Sequence, residues 1–108
     1  MKVVSKKLRD SARGQECALR FYGICNRNPE TTVLAHVPCG QKGMGMKGPD
    51  YMACFACSSC HDLLDGRARN AFDGTRVAVD WRDVIRAVAE TQAYWIGQGL
   101  MKVQGVAA

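Results

Sequence analysis

The chain has 108 residues, of which 15 are Lys or Arg and 10 are Asp or Glu, so its formal net charge is +5. This length fits one small domain, and no apolar run approaches the roughly 18 residues of a membrane span, so we predict no membrane association. Residues 1–14 (MKVVSKKLRDSARG) lack the apolar centre of a signal peptide. We therefore expect a cytoplasmic protein whose six cysteines bind metal or stay as free thiols.

The chain divides into a basic arm and one domain. Residues 1–13 form the arm, which is either a solvated segment or a phosphate-binding one. Residues 14–108 form the domain, with a core over about 14–72 and a C-terminal helix over about 81–97. The candidates for contacts with a nucleic-acid backbone come from the arm and from a glycine-rich loop over 39–50: Lys6, Lys7, Arg9, Arg13, Lys42 and Lys47.

Three segments of the core are predicted to be extended. Residues 16–26 have the pattern of a short hairpin that turns at Gly23. Residues 31–37 are rich in β-branched side chains and stop at Pro38, as a strand does. Residues 51–56 are a second candidate strand.

Two helices are predicted after these strands. Ser58 or Ser59 caps the first, which extends to about Ala71, and Asp80 caps the second. The second helix has an apolar face that fits core packing and leaves a dimer interface open; it comprises Trp81, Val84, Ile85, Val88, Trp95 and Ile96. The predicted fold class is therefore small α+β.

Four of the six cysteines have the spacing of a structural metal site. Two of them form a CxxC motif where the second strand meets the first helix, and two lie at the ends of the predicted hairpin. Two such pairs favour a Cys₄ zinc site. Its expected ligands are Cys17, Cys25, Cys57 and Cys60. Cys54 begins an overlapping CxxC motif and is expected to be a buried thiol, and Cys39 a free one.

The two histidines follow the strand and the CxxC motif. His36 ends the clearest strand, and His61 begins the helix directly after Cys60. Asp65 lies four residues after His61, so the two side chains share a helix face and form half of a divalent-cation site. For each histidine alone, a structural role is the alternative.

Taken together, these motifs resemble the HNH endonuclease superfamily, and most closely a family of small prophage-encoded HNH nucleases. The resemblance covers about residues 8–70. It rests on Arg13-Gly14, Cys17, Cys25, Pro29-Glu30, Val33-Leu34-Ala35-His36-Val37, Pro49-Asp50 and Cys57-Ser-Ser-Cys60-His61-Asp62. It implies a ββα-metal, treble-clef-like core, held by a structural zinc and followed by the C-terminal helix. It also implies a second, catalytic cation such as Mg²⁺, Mn²⁺ or Ni²⁺.

Carried over by position, the resemblance implies roles for individual residues. His36 matches the general base, and His61 and Asp65 match the ligands of the catalytic cation. Two positions differ from the family pattern. Ala35 stands where many members have Asp or His, and the middle Asn has no match, so Asp50 is the nearest polar candidate for a further ligand.

The function implied is a metal-dependent endonuclease that hydrolyses phosphodiester bonds of nucleic acid, with DNA as the expected substrate. A non-catalytic zinc module that binds nucleic acid, and a zinc-stapled protein-interaction domain, are the alternatives. A homodimer or a phage protein partner stays open, and no residue set predicts base specificity.

Overall fold

The computed structural model describes residues 4–38 and 48–105. Its elements are helix α1 (Lys6–Asp10), strand β1 (Val33–His36), strand β2 (Ala53–Ala56), helix α2 (Ser58–Leu64) and helix α3 (Trp81–Gly97). This is a small α+β arrangement, as the sequence predicts. In the part of the chain that the structure describes, no helix is both long and apolar enough to cross a membrane.

The two strands pair antiparallel in one sheet, with His36 opposite Ala53. Strand β1 is shorter than the predicted 31–37 because a 3₁₀ turn precedes it. The side chain of Asn28 caps that turn by accepting the backbone N–H of Glu30. A sheet of only two short strands is not stable alone, so the helices must cover it.

Helix α3 provides most of that cover. It begins after Asp80, whose side chain accepts the N–H of Arg82 as an N-cap. Trp95 is fully buried, and its indole N–H donates to Ser11 Oγ at 2.7 Å. The ring of Phe55 in β2 meets Trp95 edge-on, with centroids 6.1 Å apart. Helix α3 thus joins the sheet to the N-terminal segment.

The apolar face of α3 is buried only in part. Its buried side chains are Val84, Ala87, Val88, Thr91 and Trp95. Trp81 and Ile85 were predicted to belong to the same buried face, but they are 50% and 70% exposed. That part of the prediction is wrong because the buried face runs through Val84, Ala87, Val88, Thr91 and Trp95, and Trp81 and Ile85 lie on its solvent-exposed flank.

Residues 16–26 form a loop and not a pair of strands. The chain turns at Gly23, which has φ +74°, and the N–H of Cys25 donates to the carbonyl of Phe21 at 3.0 Å. Arg20 has φ +48°, a left-handed conformation that interrupts a strand. The apolar side chains here enter the core without strand pairing, which explains why the pattern was misleading.

Helix α2 ends earlier than the predicted Ala71. Its last residue is Leu64, and Asp65 is the C-cap, with its N–H donating to the His61 carbonyl at 3.0 Å. Gly66 then takes φ +79°, the conformation that commonly terminates helices. Asp65 consequently lies at the helix end, not within the helix.

Side chains of α3 hold the 16–26 loop in place. Arg86 donates from Nη2 to the carbonyls of Ala18 and Leu19, at 2.8 and 2.7 Å. Glu90 accepts two hydrogen bonds from Arg20, at 2.9 and 2.8 Å. Arg86 therefore stabilises the fold by fixing this loop to α3.

Candidate functional site

Four cysteines from two distant parts of the chain converge. The ligand sulfurs of Cys17, Cys25, Cys57 and Cys60 all lie within 4.8 Å of one another. The Sγ atoms of Cys25 and Cys57 are 3.9 Å apart. Four thiolates held about 2.3 Å from one tetrahedral ion would be roughly 3.8 Å apart. The cluster therefore has the dimensions of a closed, four-coordinate metal site.

Backbone amides are directed at these sulfurs. The N–H of Arg20 donates to Cys17 Sγ at 3.5 Å, and the N–H of Arg27 donates to the sulfur of Cys25. Both arginines have positive φ, 48° and 56°, the two non-glycine examples among residues 4–38 and 48–105. The first turn of α2 supplies a third amide, to Cys57, at 3.4 Å. Strained backbone of this kind clusters at functional sites, and here it stabilises negative charge on sulfur.

The pKa of Cys17 is lowered, whereas the pKa values of Cys25, Cys60 and Cys54 are raised. Hydrogen bonding from Cys60, together with the amide of Arg20, lowers the pKa of Cys17 to about 4. Cys54 lies outside the cluster and is fully buried, and burial raises its pKa to about 12. The donors around Cys17 thus favour its thiolate form, whereas the burial of Cys54 favours the neutral thiol. Cys39 lies outside the described residues.

A buried carboxylate holds His36 at the end of β1. His36 Nε2 lies 2.7 Å from Oδ1 of Asp50, which is completely buried. Arg9 reaches both oxygens of the same carboxylate, at 2.9 Å to Oδ2 and 3.2 Å to Oδ1. The backbone N–H of Ser5 donates to Oδ2 at 2.6 Å. The Asp50 carboxylate therefore connects helix α1 to strand β1.

The charge on Asp50 determines which nitrogen of His36 carries the proton. Burial tends to raise the pKa of Asp50, but hydrogen bonds from His36, Ser5 and Arg9 outweigh it, and the pKa lies below its ordinary value. An ionised carboxylate only accepts hydrogen bonds, so Nε2 of His36 donates and the lone pair of the neutral ring is on Nδ1. Both oxygens of Asp50 already have two donors each, which favours positioning of side chains over binding a cation.

His36 also lines a cavity of about 250 Å³ between α1 and β1. Arg13 and Thr32 line the same cavity, and so does Asp10, whose carboxylate pairs with Lys6. Thr32 is 95% buried, and within the described residues its hydroxyl has no hydrogen-bond partner. The Arg13 guanidinium in the cavity of His36 is a donor that suits an anionic oxygen.

His61 and Asp65 form a second, separate pair at the end of α2. Their Nε2 and Oδ2 atoms are 3.1 Å apart, and each side chain is about 30% exposed. Arg67 contacts both Asp65 and Asp62, at 3.1 and 3.0 Å. In the described ranges the four cysteines are the one group of three or more potential ligands that meets. The structure thus brings the expected site residues together as two pairs and not as one cluster.

The predicted phosphate-binding residues have different surroundings. Lys6 and Arg9 are paired with carboxylates, whereas Lys7 and Arg13 are exposed. Part of the predicted arm is helix α1, which packs through buried Leu8. Two further candidates fall outside the described residues, namely Lys42 and Lys47.

Known proteins resemble this chain over most of its length. A family model described as "Putative nuclease YbcO" matches residues 6–99. A curated protein of Escherichia coli K12 with that description is 43% identical over 96 residues, which is 88% of this chain and 96% of the relative. A protein of Enterobacteria phage 82, described in the same way, has the same identity and coverage.

A solved structure has the same fold. It is described as a "putative bacteriophage protein" from Escherichia coli K-12 MG1655, and it is 39% identical, with a TM-score of 0.62. The match covers 86% of this chain and all of the other. Together with the family model, this similarity shows that the chain belongs to the family described as "Putative nuclease YbcO".

Proposed function

We propose that this protein is a metal-dependent endonuclease of the HNH type, in which His36 is the general base for hydrolysis of a nucleic-acid phosphodiester. The observation that carries the proposal is the pairing of His36 with the buried, ionised Asp50 beside a cavity with anion-binding donors. The membership of a nuclease family supports a nucleic-acid substrate, and we take DNA as the substrate to test first.

In this mechanism His36 and Asp50 act as a unit. Nδ1 of His36 accepts a proton from the attacking water, because its other ring nitrogen is held by Asp50 at 2.7 Å. The carboxylate stabilises the imidazolium that forms, and it keeps the ring in one orientation. Asp50 is then a positioning residue, in place of the additional cation ligand that its place in the sequence suggested.

Arg13 is the candidate for holding the phosphate beside His36. It is exposed and lines the cavity of His36. Phosphate contacts of this kind orient the substrate but read no base. This assignment fits a nuclease without evident sequence specificity.

His61 and Asp65 are the candidates for binding the catalytic cation. Two ligands at roughly 2.1 Å from one ion would be about 3 Å apart, which matches the 3.1 Å between Nε2 and Oδ2. A divalent cation bound there, such as Mg²⁺, Mn²⁺ or Ni²⁺, supplies positive charge to the phosphate and to the leaving oxygen. Arg67 already contacts the Asp65 carboxylate, so a bound cation and Arg67 would have to share that carboxylate.

The four cysteines are proposed to bind a structural zinc. Four thiolates in a closed tetrahedral arrangement are typical of such sites, which hold small domains together. The ion would link the 16–26 loop to the start of α2.

A second candidate function is a zinc module that binds nucleic acid without cutting it. Ala35 favours it, because this position is completely buried and apolar where many HNH enzymes have a further ligand. The pairing of Arg67 with Asp65 favours it as well.

The first prediction concerns His36. His36→Ala should lower the rate at which plasmid DNA is nicked by about 100-fold or more, because it removes the general base. Conversion of supercoiled to nicked plasmid is measured with each of Mg²⁺, Mn²⁺ and Ni²⁺, and circular dichroism checks the fold. Cleavage at the wild-type rate would remove His36 from this role. Retardation of DNA with no cleavage by the wild type under any cation would favour the binding module.

The cation site can be tested with a matched pair of variants. Asp65→Ala and Asp62→Ala each remove a carboxylate from Arg67, but only Asp65 contacts His61. We expect Asp65→Ala to require about 10-fold more Mn²⁺ for half-maximal cleavage, and Asp62→Ala to require the wild-type concentration. Equal shifts in the two variants would assign the effect to Arg67 and contradict the site.

Metal content tests the cysteine cluster. Protein purified without chelator should contain close to one zinc per chain by elemental analysis. Cys60→Ser should lose the zinc and the cooperative unfolding transition, because binding of a structural zinc contributes directly to folding. Cys54→Ser changes an equally buried cysteine outside the cluster, so it should keep the zinc. Wild-type protein without zinc, or a zinc-loaded Cys60→Ser variant, would contradict the assignment.

A further inference from the structure

A larger cavity, of about 560 Å³, lies beside the cysteine loop and has no role in the proposed reaction. Its wall includes Tyr22, Arg27 and Glu16. The volume is within the range of pockets that hold small organic ligands. Tyr22 is fully exposed, at 102% relative accessibility.

The Tyr22 ring is presented on a well-anchored support. Its neighbour Phe21 is 4% exposed and fixes the loop to the core, and Gly23 turns the chain directly after it. Cys17 and Cys25 flank the segment, and both belong to the sulfur cluster. An aromatic side chain held out to solvent gains little stability from the fold, and at the wall of a cavity it offers a stacking surface to a ligand.

The charges around this cavity favour a neutral, flat ligand over a phosphate. The Glu16 carboxylate lines the cavity and would repel an anion. Arg20 is already paired with Glu90. Arg27 lines the cavity and forms no ion pair with any described residue, so its guanidinium can stack on an aromatic ring.

The cavity is next to the one that contains His36. Arg13 lines the His36 cavity, and Glu16, three residues later, lines the larger cavity. Thr32 likewise lines the His36 cavity, and Pro29, three residues earlier, lines the larger cavity. Three residues of chain span at most about 11 Å, so each of these segments joins the two cavities over a short distance. The larger cavity is therefore within reach of a nucleic-acid strand that has a phosphate beside His36.

We propose that this cavity binds an unpaired nucleobase of the substrate, which stacks on Tyr22 while Arg27 covers it. The proposal rests on the proposed function for the identity of the substrate. It assigns the protein a preference for single-stranded or locally opened nucleic acid. Stacking of this kind accepts any base, in agreement with the lack of a base-reading residue set.

Binding of labelled oligonucleotides tests the proposal. The affinity of the wild type, Tyr22→Ala, Tyr22→Phe and Phe72→Ala for a 12-nucleotide oligothymidylate is measured by fluorescence anisotropy without added divalent cation. Tyr22→Ala should bind about 5- to 100-fold more weakly, because stacking on an aromatic ring is lost. Tyr22→Phe keeps the ring and should bind as the wild type does. Phe72 is equally exposed, at 98%, but does not line the cavity, so Phe72→Ala should have no effect.

A strand of abasic nucleotides distinguishes a base from a phosphate as the ligand. The wild type should bind this strand about as weakly as Tyr22→Ala binds the oligothymidylate. Wild-type affinity in Tyr22→Ala, or equal binding of the abasic strand by the wild type, would overturn the proposal. These measurements do not depend on cleavage. Wild-type nicking by His36→Ala would therefore contradict the nuclease mechanism and leave the base-binding result intact. Wild-type oligonucleotide affinity in Tyr22→Ala would contradict base binding and leave the role of His36 intact.

Discussion

The Asp50 carboxylate is removed from water completely, and a buried charge costs several kcal/mol unless donors surround it. Those donors come from two parts of the chain that are distant in sequence. Ser5 and Arg9 belong to the N-terminal segment, and His36 ends β1. Satisfying the charge therefore docks α1 against the sheet and orients the imidazole at the same time. The fold and the proposed chemistry therefore depend on the same carboxylate. A change at Asp50 should affect both the packing of α1 against the sheet and the orientation of the His36 ring.

The four-cysteine cluster has the complementary role of holding the other side of the molecule. The sheet has two strands of four residues each, which is too little to organise the loops around it. The sulfurs join the 16–26 loop to the start of α2, and Arg86 of α3 binds the same loop through two carbonyls. The loop is thereby held on both sides, and it presents Tyr22 to solvent.

The parts of the fold that the sequence predicted are those specified by local pattern. Helix α3 follows from the cap at Asp80 and the apolar repeat, and the grouping of the cysteines follows from their spacing. Long-range contacts left no such signal: Asp50 lies 14 residues from His36 and 41 from Arg9, and only the folded chain joins them. The early end of α2 was recoverable, because Gly66 directly after Asp65 is a common helix terminator. The strand pattern of residues 16–26 was misleading, because the apolar side chains there are buried in the core although their backbone forms no strand.

The pairing of His36 with Asp50 is tested most directly by the single-turnover rate of DNA cleavage in Asp50→Asn, at saturating DNA and at a temperature where the variant is folded. We predict a rate about 100-fold or more below that of the wild type with DNA affinity unchanged, because the amide no longer stabilises the imidazolium. Asp10→Asn makes the same change of charge at the His36 cavity without touching His36 and should cleave at the wild-type rate. A wild-type rate in folded Asp50→Asn would contradict the assignment of His36 and Asp50 as the catalytic unit.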